Sequence, residues 1–270
     1  MIDNSSLIIL NILIPVYNRD LDLTICIDSI KRSFNINDKI DLRVYVINDS
    51  SNFLKYLEVK DVPFFLEVFN VGENIGKMAA IRAFFSKYNL IGSVVVLDSD
   101  DVVQSCFFDN IREAFDLSNS EFISFASNLS KKYDNSVYDT YINFRFNMNN
   151  LEDRLDLFPS SVYRDEILRI DIQHNILFPE FLLYFNCFSK TDIFFYNKET
   201  IIKNYKDGGY SKSKLRWYIK STDVFGRYYF LLANASELNC YLKAKSFSKF
   251  IFFISLKYFM KFLRIRSSYS

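Results

Sequence analysis

Over its first hundred residues the chain alternates short apolar runs with amphipathic stretches. This is the pattern of β-α-β units wound around a mostly parallel sheet. Leu7 to Ile14 predicts a first strand, Asp22 to Phe34 a helix, Leu42 to Ile47 a second strand and Phe64 to Phe69 a third. Lys77 to Tyr88 predicts a second helix, and Ser93 to Leu97 (SVVVL) a fourth strand whose uncharged, β-branched character suits burial on both faces.

After Ser105 the pattern loosens. A helix to Phe115, a strand around Phe122 to Ala126, a polar loop or hairpin tip at Asn128 to Ser136 and a strand from Val137 to Phe146 are expected, then a helix from Phe178 to Phe188 entered through Pro179. No internal repeat and no Pro/Gly-rich seam divides the chain. The reading is therefore one α/β catalytic unit over 1–215, with 1–103 and 104–215 as its halves, followed by a helical region over 216–270.

Composition removes several function classes. Only 6 of 270 residues are glycine, against roughly 7% in an average chain. With only Gly208 and Gly209 adjacent, neither a G-x-G-x-x-G turn nor a P-loop can be written. A net charge of +1 gives no global footprint for nucleic acid. Cys26, Cys106, Cys187 and Cys240 are far apart and His174 is the one histidine, so no zinc site can be assembled. Asp3 precedes the first apolar run where a signal peptide would carry basic residues, which points to the cytoplasm.

In a parallel sheet, ligands bind beyond the carboxyl ends of the strands. Those ends read Pro15-Val16-Tyr17-Asn18-Arg19-Asp20, Asn48-Asp49-Ser50-Ser51, Asn70 to Lys77, and Asp98-Ser99-Asp100-Asp101. The last places three carboxylates in four residues, which repel one another unless a cation is shared. Hard oxygen donors without histidine suit Mg²⁺ or Mn²⁺ bridged to substrate phosphates. The same four residues also suit the N-terminus of a following helix, where aspartate is favoured.

In order and spacing these ends resemble the inverting family-two glycosyltransferases of the GT-A fold. NILIPVYNRD is similar to that family's opening strand, VINDSS to its nucleotide-facing second strand end, NVGENIGKMAAIRAFF to its N-x-G helix and VVVLDSDD to its D-x-D metal motif. More loosely, FPEFLLYFNCFSKTDIFFYNKETIIKNYKDGGYSKS resembles the second half of a bacterial subset. The resemblance implies a GT-A fold with a mostly parallel central sheet flanked by helices. It also implies transfer of a sugar from a UDP- or GDP-linked donor to an acceptor hydroxyl with inversion, in assembly of a cell-surface polysaccharide or lipopolysaccharide.

Carried over by position, Pro15, Val16, Tyr17 and Asn18 would lie along the nucleoside, and Asp49 or Asn48 would face the base. Asn74, Gly76 and Lys77 would approach the base, ribose or diphosphate. Asp98 and Ser99 would sit near ribose or metal, and Asp100 would be the principal ligand of the Mg²⁺ or Mn²⁺, with Asp98 the second and Asp101 nearby. An acceptor hydroxyl needs a general base, a contribution of about 10²- to 10⁴-fold. Glu180, at a predicted helix start in the later half, is the choice, although a glutamate there also suits the helix dipole. The Glu152-Asp153 pair resembles the base position of other branches, which makes Asp153 the alternative.

Many members of the family supply a late histidine, and His174 precedes the D-G-G-x-S turn where such a residue would follow it. In Asp207-Gly208-Gly209-Tyr210-Ser211-Lys212 the paired glycines free backbone N–H groups for an anion, with Ser211 and Lys212 as substrate-binding candidates, or form an ordinary tight turn. In the tail, SFSKFIFFISLKYFMKFLRIR over 246–266, Lys249, Lys257, Lys261 and Arg264 fall within about 120° of one another on a helical wheel. That face suits an in-plane helix on anionic lipid and a lipid-linked or glycan acceptor; a buried helix or an oligomer contact would share the pattern. A sugar-phosphate nucleotidyltransferase would need a Gly-rich N-terminal loop that is absent. A catalytically degenerate GT-A protein acting as a membrane-associated scaffold is the alternative function, and the intact Asp98/Asp100 pair argues against it.

Overall fold

The computed structural model describes residues 7–36, 39–52, 61–118, 120–128, 136–138, 154–170, 172, 180, 183–184, 187, 192–204, 226, 229–230, 233–234 and 240–267. Its centre is β1 (Ile8–Val16), followed by α1 (Asp20–Ser33), β2 (Ile40–Asn48), β3 (Phe65–Asn70), α2 (Lys77–Lys87) and β4 (Ser93–Val96). Then come β5 (Val102–Val103), α3 (Phe107–Leu117), β6 (Phe122–Ser127), β7 (Ser136–Tyr138), β8 (Leu155–Pro159), α4 (Ser160–Arg169) and β9 (Ile193–Ile202). A long helix, α5 (Cys240–Ser267), is the last element described.

The strands form one sheet in the order β3-β2-β1-β4-β8-β6-β9-β5, with β7 paired to β9. β3, β2, β1 and β4 are mutually parallel. β8 enters antiparallel to β4 and β6, while β6 and β9 pair in parallel. Because β2 and β3 lie on one side of β1 and β4 on the other, the winding reverses between β1 and β4, the position at which open α/β sheets leave a crevice beyond the strands' carboxyl ends.

Pro15 marks that opening. Val16 accepts a backbone hydrogen bond from Asp49 on the β2 side, and Leu13 accepts one from Leu97 on the β4 side. Alternation along β1 therefore turns the Pro15 nitrogen toward β4, whose pairing with β1 has already ended at Leu13 and Val96. A residue without an N–H leaves no ladder bond unmade there.

Each face of the sheet carries its own core. Leu10, Ile12, Ile14 and Val16 pack with Leu23, Cys26, Ile27 and Ile30 of α1 and with Phe107, Phe108 and Ile111 of α3. Leu13, Tyr45 and Ile47 face Met78, Ala80, Ile81, Phe84 and Phe85 of α2 and Tyr163 and Ile167 of α4. The i, i+3, i+4, i+7 spacing of the α1 set is what seats that helix on the sheet. Asn11 is the polar exception on β1: its side-chain amide donates to the carbonyls of Ile91 and Ser93 at 2.8 and 2.9 Å, fixing β1 against the start of β4.

The first six elements match the sequence expectation to within about two residues at most ends. The later half adds β8, α4 and β9, which the sequence pattern does not announce. Of the helix predicted over Phe178 to Phe188, residues 180, 183, 184 and 187 are described and all are helical. β7 coincides with the start of the strand predicted from Val137, and the rest of that strand lies outside the described residues.

Gly92 is needed where β4 begins. Its φ is +79°, and a Cβ there would lie 2.4 Å from the Ile9 carbonyl oxygen and 2.6 Å from the Ile9 Cβ. Gly92→Ala is expected to destabilise the protein by roughly 2–4 kcal/mol, from backbone strain and overlap with β1 together. Denaturant unfolding measures it, and a loss below about 0.5 kcal/mol would contradict this placement.

Candidate active site

The residues at the crevice are positioned by the strand ends of β1, β2 and β4, the start of α2 and the exit from β9. Pro15 and Val16 end β1 and are buried, whereas Tyr17, the first residue past the strand, is 45% exposed. Asn18 takes a φ of +51°, which asparagine tolerates better than most residues, and its side-chain oxygen accepts from the Ser50 hydroxyl at 3.1 Å. At the end of β2, the Asn48 amide donates to the Asn70 side chain and the Asn52 carbonyl, both at 2.9 Å.

Asp49 organises the entry to α2. Its two carboxylate oxygens accept from the N–H groups of Ile75 and Gly76 at 2.7 and 2.9 Å, the latter residue being the N-cap with φ +93°. A buried carboxylate on the unpaired N–H groups of a helix start is favoured both by hydrogen bonding and by the helix dipole. It fixes where Lys77, the first residue of α2, emerges. Asn74 beside it is exposed.

Lys77 joins two of the sequence-predicted groups. Its ammonium lies 2.5 Å from Asp98 Oδ1 and 2.6 Å from Glu180 Oε1, and Glu180 Oε2 accepts from the Tyr184 hydroxyl at 3.2 Å. Burial alone would lower the pKa of Lys77, but Asp98 and then Glu180 raise it well above the ordinary lysine range. Burial likewise opposes ionisation of Asp98, and Lys77 and Lys203 overcome it, holding that carboxyl well below its usual range.

The other two carboxylates of the turn are also paired. Asp100 Oδ2 meets the guanidinium of Arg19, whose side chain is about one-third exposed. Asp101, almost fully buried, lies 2.7 Å from the Lys203 ammonium, which is also 3.6 Å from Asp98 Oδ2. Asp101 is pushed up to about 6 by burial, with Lys203 opposing the shift and Asp98 adding to it. The next residue along β9's exit, Asn204, donates its backbone N–H to Asp101 at 3.3 Å and its side-chain amide to the Asp100 carbonyl at 3.1 Å. Ser99 is buried inside the turn.

Asp98, Lys77 and Glu180 thus converge from β4, α2 and a separate helical segment, with Asp100 on the same turn. Asp153, Pro179, His174, Ser211 and Lys212 lie outside the described residues. Arg19 and Lys203 were not singled out from sequence. Arg19 lies in the first strand end, and its signal is a cation at the sheet edge that also carries the triple-aspartate turn. Lys203 had none, because it is defined by β9.

Asp100 is the carboxylate of the turn that could hold a hard divalent cation. That carboxylate is 21% exposed and pairs with an arginine about one-third exposed, whereas Asp98 has a lysine near each oxygen. An ion such as Mg²⁺ needs only one or two carboxylates when phosphates and water complete its shell. Among the described residues no three His, Cys, Asp or Glu side chains gather as a metal cluster.

Several solved structures share the fold. Residues 1–349 of S. aureus TarS are 16% identical, with a TM-score of 0.63 over 90% of this chain and 70% of that one. The same TarS fragment in complex with UDP-GlcNAc is 14% identical, with a TM-score of 0.61 over 92% and 72%. Its complex with UDP is also 14% identical, with a TM-score of 0.60 over 91% and 70%. No curated protein matches the sequence. The family described as Glycosyl transferase family 2 matches residues 11–168, from the first buried strand through the D-x-D turn to the end of α4. With more than half its length in that match and the GT-A plan in its sheet, the chain belongs to glycosyl transferase family 2.

Proposed function

We propose that the protein transfers a sugar from a nucleoside-diphosphate donor, UDP- or GDP-linked, to an acceptor hydroxyl with inversion at the anomeric carbon. The observation that carries this reading is the Asp98–Lys77–Glu180 line at the switch-point crevice, which joins the strand-end side of the site to a carboxylate arriving from the later half. That the TarS neighbour was crystallised with UDP-GlcNAc and with UDP supports a UDP-sugar. Residues 1–215 form the catalytic unit in this reading.

Pro15, Val16, Tyr17 and Asn18 line the nucleoside, with Asn48 and Asp49 at the base end and Asn74 and Gly76 alongside. Lys77 faces the diphosphate, Asp98 and Ser99 the ribose side, and Ser211 and Lys212 act as further substrate contacts. Asp100, with Asp98 alongside, would hold Mg²⁺ or Mn²⁺; the ion's chemistry there is to neutralise charge developing on the leaving diphosphate. Glu180, or Asp153 in its place, takes the proton of the acceptor hydroxyl. That oxygen bonds to the anomeric carbon while the nucleoside diphosphate departs with the bonding electrons of the broken glycosidic bond.

The acceptor in this reading is a growing cell-surface polysaccharide or lipopolysaccharide at the inner face of the cell membrane. Support comes from α5. Its buried seam, among the described side chains, is narrow and rests on Ser246 and Phe253, the latter stacked on Tyr229 at 5.6 Å. Phe247, Ile251, Phe252, Ile254 and Tyr258 are exposed, as are Lys245, Lys249 and Lys257. Exposed aromatic and aliphatic groups interleaved with lysines suit a helix lying in an anionic interface. Among the described residues no helix is long and apolar enough to cross a membrane.

Glu180→Gln keeps shape and most hydrogen bonding but cannot accept the proton. Transfer is expected to fall by roughly 10²-fold or more while nucleotide affinity stays within about threefold. Parallel turnover and calorimetric assays separate the two, and near-normal transfer would move the base to Asp153. For α5, Ile251→Asp with Phe252→Asp spares the Phe253 seam. Co-sedimentation with anionic liposomes is expected to weaken by about tenfold or more. Equal sedimentation of variant and parent would remove the membrane role from this helix.

A further inference from the structure

The D-S-D-D turn carries its own counter-charges. Asp98, Asp100 and Asp101 stand against Lys77, Arg19 and Lys203, three carboxylates against three cations drawn from α2, the end of β1 and the exit of β9. Counting Glu180, which shares Lys77, four carboxylates meet three cations, and the cluster is one negative charge in excess rather than four. The six groups of the turn are not equivalent. Arg19 and Lys77 are about one-third exposed on the crevice, whereas the side chains of Lys203 and Asp101 are 12% and 4% exposed.

From this arrangement we infer that Lys203 is a positioning residue that keeps the acidic turn charge-balanced, so that the turn accepts a divalent cation only together with a nucleoside diphosphate. To ligate two of these carboxylates in the absence of nucleotide, a metal ion must take a partner from Lys77, Arg19 or Lys203. With Asp98 and Asp100 on the ion, Lys77 keeps Glu180 and Lys203 keeps Asp101 but Arg19 loses its carboxylate, and the ion turns one excess negative charge into one excess positive charge. A diphosphate changes the balance. It brings negative charge to the two crevice-facing cations, Arg19 and Lys77, and leaves Asp100 open toward the metal.

Lys203 stays where it is in that exchange. Its ammonium on Asp101 and Asp98 and the two Asn204 hydrogen bonds to Asp101 and Asp100 hold the turn in one shape. Backbone bonds secure the exit of β9 in turn, with Lys203 N–H on the Asn128 side chain at 2.9 Å and Asn128 N–H on the Ile201 carbonyl at 3.1 Å. The nucleotide part of this inference rests on the donor reading above; the charge balance does not.

Calorimetric titration with Mn²⁺ alone, and with Mn²⁺ in the presence of UDP or GDP, tests both parts on the full chain. The unaltered protein is expected to bind Mn²⁺ at least about tenfold more weakly alone than with nucleoside diphosphate. Lys203→Met uncovers Asp101 and Asp98 and is expected to raise affinity for Mn²⁺ alone by about tenfold, with Lys203→Arg unchanged. Arg19→Met, at a pair more exposed than Lys203 with Asp101, is expected to do the same through Asp100 even if Lys203→Met fails to fold. Where UDP or GDP binds, equal Mn²⁺ affinity with and without it in the unaltered protein would overturn the inference, as would no gain in a folded Lys203→Met variant or, where that variant does not fold, in Arg19→Met. Absence of UDP and GDP binding under every condition would sink the donor reading instead, and the Mn²⁺-only titrations of the variants would still decide the charge balance.

Discussion

Three aspartates within four residues are the constraint around which the crevice is built. Unit charges about 4 Å apart repel by about 4 kcal/mol at the effective dielectric of a protein surface, so a turn such as Asp98 to Asp101 forms only where cations reach it. Arg19, Lys77 and Lys203 arrive from three elements far apart in sequence. Each arrival needs a different part of the fold: β1 to end beyond β4, α2 to start at Asp49, and β9 to run alongside β6 and deliver Lys203. Pairs as exposed as Arg19 with Asp100 contribute little to stability. Their consequence is positional.

Asp49 shows how such positioning is inherited from the sheet. It occupies the first position past β2, is buried, and spends both oxygens on the start of α2. The direction of α2, and with it the reach of Lys77 toward Asp98 and Glu180, follows from that contact. Tyr184 then holds the far side of Glu180 while its ring packs on Phe158 of β8 at 5.1 Å. Strand-end and later-half groups are therefore linked through side chains rooted in the same sheet.

The early half was legible because its signals are local. Strands of the type IILNILIPV and SVVV are apolar and β-branched, and the helices between them carry their buried residues at helical spacing. The later half hides its order in non-local pairings. β8 is five residues long and reads LDLFP. β9 reads IFFYNKETII, and its polar NKET stretch meets β6 at an irregularity in register between Phe125 and Ser127. Buried Arg154 is stranger still from sequence alone, yet it donates to the carbonyls of Ser124 and Tyr196 at 2.9 and 3.0 Å and so ties the β8, β6 and β9 side of the sheet together. Without β9 in view, Lys203 cannot be recognised as a partner of the D-x-D turn, whereas Asp98, Lys77 and Glu180, which the strand-end rule and the family resemblance single out, meet in space.

The proposed function requires the crevice between the ends of β1 and β4 to bind a nucleoside diphosphate through the acidic turn. Calorimetry of UDP and GDP in Mn²⁺, on the unaltered protein and on Asp100→Ala, tests it most directly. Saturable binding of at least one nucleotide, weakened by about tenfold or more in Asp100→Ala while the thermal unfolding transition is retained, is the predicted result. Unchanged nucleotide affinity in Asp100→Ala, or no binding of either nucleotide, would contradict it.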